Sequence, residues 1–267
     1  ISCSTSTNWI YDTQSIDFSK YLSNKLNGIN LAFGLEYRME NYQIFAGEVG
    51  SYAAYDKNRN IITDSTPISD YTTYNNNIRP RGSQGFPGYS PSNEVNRSRT
   101  NFSVYADTEI DFSEKRMLGA AVRYENYSDF GKSLNFKITS RIKFLSFLNV
   151  RSSFSTGFRA PSLAQIYYNL SFTNFIGNTP SESILLADNN PIARKLNVNK
   201  LKEEKAVNLS FGVASKINNN FNVAVDGYYV AIKDRIILSG SFDATSFGID
   251  VDHVQFFANG VDTRTVG

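Results

Sequence analysis

The sequence predicts an all-β chain, an antiparallel segment of a transmembrane β-barrel with short turns at one end of its strands and long loops at the other. Three observations predict it. Apolar and polar residues alternate with period two over run after run, the spacing that sends successive side chains to opposite faces of a strand. Across the six clearest runs the apolar face carries no Asp, Glu, Lys or Arg, whereas the opposite face is rich in them. No amphipathic helical period is present to cover that apolar face, as a soluble layered fold would require.

A first strand is expected around Trp9 to Asp17, where the alternation is less regular. From Ile29 to Glu40, Ile29, Leu31, Phe33, Leu35, Tyr37 and Met39 face one way, and Asn30, Ala32, Gly34, Glu36, Arg38 and Glu40 the other. Asn101 to Phe112 repeats the arrangement, with Phe102, Val104, Ala106, Ile110 and Phe112 opposite Ser103, Tyr105, Asp107, Glu109 and Asp111. After a tight turn over residues 113–116, Leu118, Ala120, Val122 and Tyr124 alternate with Gly119, Ala121, Arg123 and Glu125, completing a hairpin. Leu134, Phe136, Ile138 and Ile142 then oppose Asn135, Lys137, Thr139, Arg141 and Lys143. Leu148, Val150, Phe154 and Phe158 oppose Asn149, Arg151, Ser153, Ser155 and Gly157, and this strand stops at Arg159-Ala-Pro161, since proline has no N–H for a ladder. Val207 to Val213 and Phe221 to Val225 close the set, which numbers about eight strands.

The links sort into two populations. Short turns are expected at 18–28, 113–116, 144–147 and 218–220, and longer or glycine-containing links at 46–100, 128–133, 159–203 and 240–255. They alternate, so one end of the sheet is trimmed and the other elaborated. Loops beyond about 12–15 residues are uncommon in compact soluble domains. Lipid-facing strands explain both features, because an outer-membrane barrel pairs an outward apolar band with a polar interior and unequal loops. Tyr37, Tyr124, Tyr127 and Trp9 stand near strand ends, where aromatic girdles form.

Composition narrows the function classes. Aromatic residues make up 14% of the chain, nearly all Phe and Tyr, which favours pleated structure. A formal charge of +2 from 27 basic and 25 acidic residues gives no footprint for nucleic acid. No apolar window reaches the roughly 18–20 residues of a membrane helix, which leaves strands as the membrane-crossing element. A lone Cys3 and a lone His253 make neither a disulfide nor a zinc site, and His253 reads as an ordinary loop residue. Asp243, Asp250 and Asp252 lack the spacing of a calcium loop. No acid–base pair or nucleophile motif can be named, so no catalytic residue, metal site or cofactor is expected. The chain begins without Met or a signal peptide, as a processed or internal segment would.

Eight strands alone would close a small barrel whose interior is filled by side chains. The inward set is instead densely charged: Glu36, Arg38, Glu40, Asp107, Glu109, Asp111, Arg123, Glu125, Lys137, Arg141, Lys143 and Arg151. Such a lining suits a wide wet lumen or one filled by another domain, and open edges are not viable in lipid, so further strands are expected.

At this point a set of motifs resembles one family. Gly34-Leu-Glu-Tyr-Arg38 with Glu40 and Tyr42, Ala46-Gly-Glu48 and Ser51-Tyr52 come first. Gly85-Phe-Pro-Gly88 with Pro91, Arg123-Tyr-Glu125 with Tyr127-Ser-Asp-Phe-Gly131, and Gly157-Phe-Arg-Ala-Pro-Ser-Leu163 with Gln165 follow. Leu201 with Glu204-Lys205, Asp234-Arg-Ile236 and Phe256 to Arg264 complete an ordered series over most of residues 29 to 264. The series is similar to that of TonB-dependent outer-membrane receptors. The resemblance implies a 22-strand-type barrel with long extracellular loops, short periplasmic turns and a separate N-terminal plug. It also implies location in the outer membrane of a Gram-negative bacterium, and active uptake of a scarce nutrient such as a ferric siderophore, cobalamin or haem, energised through TonB. Residues 1–267 then form part of the barrel domain, without the plug, its TonB box or a terminal aromatic strand. Its partners are outer-membrane lipid, the plug of the same full-length chain, TonB and the nutrient ligand. A passive porin or adhesin barrel, or a soluble carbohydrate-binding sandwich, are the competing readings.

Under this resemblance Glu36, Arg38, Glu40, Asp107, Glu109, Asp111, Arg123, Glu125, Arg141, Arg151 and Arg159 face the lumen or plug. Arg159 belongs to the set because it continues the inward register of Arg151, Ser153, Ser155 and Gly157. Tyr71, Tyr74, Arg79, Arg81, Phe86 and Tyr89 are the candidate ligand contacts, offering stacking faces and cationic donors to an anionic or aromatic chelate.

Overall fold

A computed structural model of the chain describes residues 6–23, 26–63, 65–74, 77–79, 81–82, 88–176, 179–217, 220–245, 248 and 251–267. Its strands are β1 (Ser6–Leu22), β2 (Ile29–Phe45), β3 (Thr73–Tyr74), β4 (Asn77–Ile78), β5 (Val95–Ser113), β6 (Arg116–Tyr127), β7 (Gly131–Leu145), β8 (Leu148–Arg159), β9 (Leu170–Ile176), β10 (Thr179–Leu186), β11 (Glu204–Lys216), β12 (Asn222–Leu238), β13 (Phe242–Asp243) and β14 (His253–Val266). Twelve of them form one sheet in the order β1-β2-β5-β6-β7-β8-β11-β12-β14-β10-β9, with β13 beside β14. The ends of this path do not meet, so the sheet is an open piece of barrel wall.

Among the described residues the wall holds nine long strands where about eight are expected. The ninth, β14, was missed because Ala258, Asn259, Gly260 and Asp262 interrupt any apolar alternation. His253 accordingly opens a strand and is not a loop residue. The link at 128–133 is also shorter than expected, with only residues 128–130 between β6 and β7, and Gly131 starts β7 at φ +112. At the other end, β1 runs on to Leu22 and β2 begins at Ile29.

Register fixes the two faces. Ile29, Leu31, Phe33, Leu35 and Tyr37 pair with Ile110, Thr108, Ala106, Val104 and Phe102, and this row continues through Leu118, Ala120, Val122 and Tyr124 to Ser140, Ile138, Phe136 and Leu134. These side chains are exposed: Phe33 is 57%, Leu134 64% and Phe211 57% open. The ten residue steps from Ile29 to Met39, tilted as barrel strands are, span about 25 Å, the height of a lipid-facing band. Beyond Met39 the same face turns polar at Asn41 and Gln43. The six runs stay free of outward charge, and the longer strands add it mainly toward their margins. Asp12 stands opposite Met39, Lys132 opposite Asn126, and Lys205 opposite Lys233, while Lys20 pairs with Leu31 one outward step from the lower end. Arg264 opposes Ala231, one outward step before Lys233.

The abrupt end of β8 has a local cause. Ser162 and Gln165 form a capping box, in which Gln165 N donates to Ser162 Oγ at 3.1 Å and Ser162 N donates to Gln165 Oε1 at 3.0 Å. The strand therefore hands over directly to a short helix, Leu163–Tyr167, with Pro161 as the break. That link continues through the β9–β10 hairpin and the helix Pro191–Lys195 before β11 begins.

The register predicts unequal costs for an outward arginine at two heights. Phe33→Arg should lower the folding free energy of the full-length protein in lipid vesicles by about 2–4 kcal/mol, and Gln43→Arg by about 0–1. Equilibrium unfolding in vesicles measures both, and equal costs would contradict the band.

Candidate functional site

The polar face is a wall of paired charges. Arg99 from β5 donates to Glu40 on β2, to the Pro161 carbonyl at 2.6 Å and to Asp129 at 3.4 Å. Arg99 and Glu40 are each about 5% exposed. Arg38 lies 3.3 Å from Glu40 and donates to the Tyr127 hydroxyl at 2.5 Å. Both guanidinium groups also sit over the Tyr127 ring, at 5.7 and 5.4 Å from its centre. Below them Arg123 bridges Glu36, at 2.9 Å, and Glu125, which in turn accepts from Asn101. The knot joins three strands, the β6–β7 turn and the corner at Pro161. Burial pushes the Asp129 carboxyl in that turn above its ordinary pKa, against the pull of Arg99.

Two further pairs tie the other half of the wall. Arg159 meets Glu204 in a fork, at 2.9 and 2.5 Å, and Glu204 also accepts from the Ile236 N–H at 2.8 Å, so one carboxylate joins β8, β11 and β12. Arg151 forks onto Asp226 of β12, with Nε at 2.8 Å. Asp107 and Glu109, among the described residues, enter no ion pair, and Arg141 reaches Asp111 only at 4.0 Å.

Above this wall the loops pack on an aromatic floor. Tyr42, Ile44 and Leu163 are buried together, with Tyr89, Val95, Tyr167 and Tyr168 against them. The phenol of Tyr168 is pushed up by burial and by its hydrogen bond with Tyr89 at 3.5 Å. Trp9 packs on Tyr42 at 4.6 Å and stacks with Tyr11 at 5.9 Å; Trp9 is 39% and Tyr11 61% exposed. The first loop is folded back on itself by close backbone contact. Gly88 N donates to Ser51 O at 3.0 Å, and a Cβ on Gly88 would fall 1.8 Å from Ser51 Oγ.

The expected wall residues share one face by register: Glu36, Arg38 and Glu40 on β2, Asp107, Glu109 and Asp111 on β5, Arg123 and Glu125 on β6, Arg141 on β7, and Arg151 and Arg159 on β8. The expected ligand contacts are spread out. Tyr89 is part of the aromatic floor, Arg81 pairs with Glu182 of β10 at 3.3 Å, Tyr71 bridges to Asp56, and Arg79 is exposed. Phe86 and the side chain of Tyr74 lie outside the described residues. The girdle expectation is corrected at two positions. Tyr127 is buried on the polar face, and Trp9 shares the face of Tyr42 and Glu40, whereas Tyr37 and Tyr124 do stand on the apolar face. Sequence reasoning missed Arg99, Glu204 and Asp226, the partners that organise the wall.

A family model described as TonB dependent receptor-like, beta-barrel, matches residues 3–265. No curated protein matches the sequence. Among solved structures, the siderophore receptor PirA from Pseudomonas aeruginosa has a TM-score of 0.65 at 14% identity, over 98% of this chain and 39% of that one. A mutant of the ferric enterobactin receptor PfeA from Pseudomonas aeruginosa gives 0.63 at 14%, over 98% and 32%. The RagAB peptide transporter gives 0.55 at 17%, over 98% and 27%. At these identities the likeness is one of fold, and the chain spans two fifths or less of the length of these proteins.

Truncating one member of the buried pair leaves the other charged in a poor solvent. Arg99→Ala should therefore cost the full-length protein about 3–5 kcal/mol, and Arg99→Met combined with Glu40→Leu should recover most of it. The exposed Arg151–Asp226 fork should tolerate Asp226→Asn with little change. Unfolding midpoints of the variants measure the contrast.

Proposed function

The chain belongs to the TonB-dependent receptor β-barrel family, and from that premise we propose that it forms part of the wall of an outer-membrane active-transport receptor in a Gram-negative bacterium. The cargo is a scarce nutrient too large for free diffusion, such as a ferric siderophore, cobalamin or haem. Outer-membrane lipid covers the apolar face. A plug domain elsewhere in the full-length chain lies against the polar face, and TonB acts on that plug.

The observation that carries this reading is the paired-charge wall. Its most buried members already hold one another in fixed geometry, so they stiffen the barrel and leave only partly engaged donors and acceptors for the plug. Hydrogen bonds of that kind exchange with water at a net cost of about 0.5–1.5 kcal/mol each. A plug held this way can be moved without unfolding the barrel. Asp107, Glu109 and Arg141, unpaired or loosely paired among the described residues, are free to meet it.

Ligand contact belongs to the long loops and the aromatic floor beneath them. Tyr71, Tyr74, Arg79, Arg81, Phe86 and Tyr89 remain the loop candidates, joined by the stacked, open pair Trp9 and Tyr11. Solved neighbours of the same fold are described as siderophore receptors and as a peptide transporter, so cargo follows the loops and not the wall.

Deleting the gene and supplying iron as a single ferric siderophore or as haem, or cobalamin as the sole corrin source, should abolish growth on one of them. In the parent strain, collapse of the proton gradient should abolish uptake of that same nutrient. Uptake that survives the collapse would overturn TonB coupling, and undiminished growth on every source would overturn the cargo class.

A further inference from the structure

Two grooves interrupt the apolar face in its lower half. One, of about 560 Å³, lies over Ala106, Thr108 and Ala120 beside Phe33 and Phe136. The other, of about 780 Å³, lies over Ser140, Ser152 and Gly227 beside Leu118 and Phe211. Ile138 borders both, so they flank a common ridge. The floors are small because bulky outward residues give way there to Ala, Ser, Thr and Gly. In the second floor Ser140 and Ser152 stand opposite each other and satisfy one another through a hydrogen bond at 2.9 Å.

Directly below the ridge the register places a cation. Arg116 continues the outward row of Leu118 and Ala120 to the short-turn end of β6, opposite Ile142, and Lys115 precedes it in the turn. Neither enters an ion pair among the described residues. These two cations thus stand on the outward face where the apolar band ends, at the depth of lipid headgroups, below the two apolar grooves.

We infer that this surface seats one anionic glycerophospholipid of the periplasmic leaflet, its two acyl chains in the two grooves astride Ile138 and its phosphate at Arg116 and Lys115. Acyl chains are slender and apolar, and fit between side-chain ridges where a helix of about 10 Å diameter does not. A guanidinium at the rim offers the forked donors that phosphate accepts. The site is continuous with the lipid-covered band, so it needs no surface beyond the membrane. It rests on the outer-membrane reading above.

The test uses the full-length receptor reconstituted in vesicles of phosphatidylethanolamine containing phosphatidylglycerol, then extracted in mild detergent and weighed by native mass spectrometry. The unaltered protein should retain one phosphatidylglycerol. Ser152→Phe with Gly227→Val fills one groove and should lower retention about tenfold. A Cβ on Gly227 meets nothing closer than 3.8 Å, so that change is compatible with the strand. Arg116→Gln should keep the chain seat but erase the preference for phosphatidylglycerol over phosphatidylethanolamine. Heat-modifiable migration on gels reports that each variant is folded. An inserted receptor that retains no lipid, retains both lipids equally, or keeps its lipid with the groove filled overturns the site. So does a groove-dependent protein dimer. Failure of the receptor to enter vesicles at all would instead overturn the membrane reading itself.

Discussion

Lipid offers no hydrogen bonds to a peptide group, and this constraint decides most of the structure. Every N–H and C=O that crosses the band has to be answered by a neighbouring strand, so the strands run long, pair antiparallel and stay in register. From β1 to β11 the pairing passes from neighbour to neighbour, broken only by shifts at the ends of the tight turns. Once the ladder is fixed, the side-chain period of two assigns each residue to lipid or to the interior. A slip by one residue would expose Glu36, Arg38 and Glu40 to lipid and bury Phe33 and Leu35 among charges. The same alternation therefore sets fold, register and orientation together.

This is why the fold was legible in the sequence where lipid enforces the alternation, and faded where it does not. The band from Ile29 to Met39 reads plainly. Above it the outward face needs no apolar residue, so Asn96, Ser98 and Thr100 alternate with Arg97 and Arg99, polar on both sides, and the start of β5 was taken for loop. Arg99 was lost with it. Glu204 was visible as part of a motif but not as a site residue, because its partners Arg159 and Ile236 are distant in sequence and meet only through strand order. β14 escaped for a related reason: its upper half pairs with the loop strands β10 and β13, and its lower half breaks the alternation with Gly260 and Asp262. Trp9 was assigned to a girdle from its place near a strand end, which carries no information about face until the partner, Tyr42, is known.

The wall also shows how a charged interior can be stable. Arg99 and Glu40 are nearly as buried as core residues, where an isolated charge would be prohibitive. They are tolerated because each has several partners, including the backbone at Pro161, and because the Tyr127 ring covers both Arg99 and Arg38. Lower on the wall, where Arg151 and Asp226 are open, the same chemistry contributes little to stability. Stiffness is thus concentrated near the loops, at the level of the aromatic floor, and relaxes toward the short turns.

The corner at Gly157-Phe-Arg-Ala-Pro-Ser-Leu163 joins these arguments. A strand leaving the membrane must stop pairing without stranding its last polar groups, and each residue here meets part of that demand. Arg159 ends the ladder on the polar face and is captured by Glu204, which also satisfies the Ile236 amide two strands away. Pro161 offers no donor to be stranded, and its carbonyl is taken by Arg99. Ser162 and Gln165 satisfy each other's amides and start a helix whose Leu163 is buried against Tyr42 and Ile44. A proline beside an arginine at a strand end is thereby the point where the wall, the buried ion pairs and the loop floor are fastened together. It follows that a change at this corner acts on all three at once.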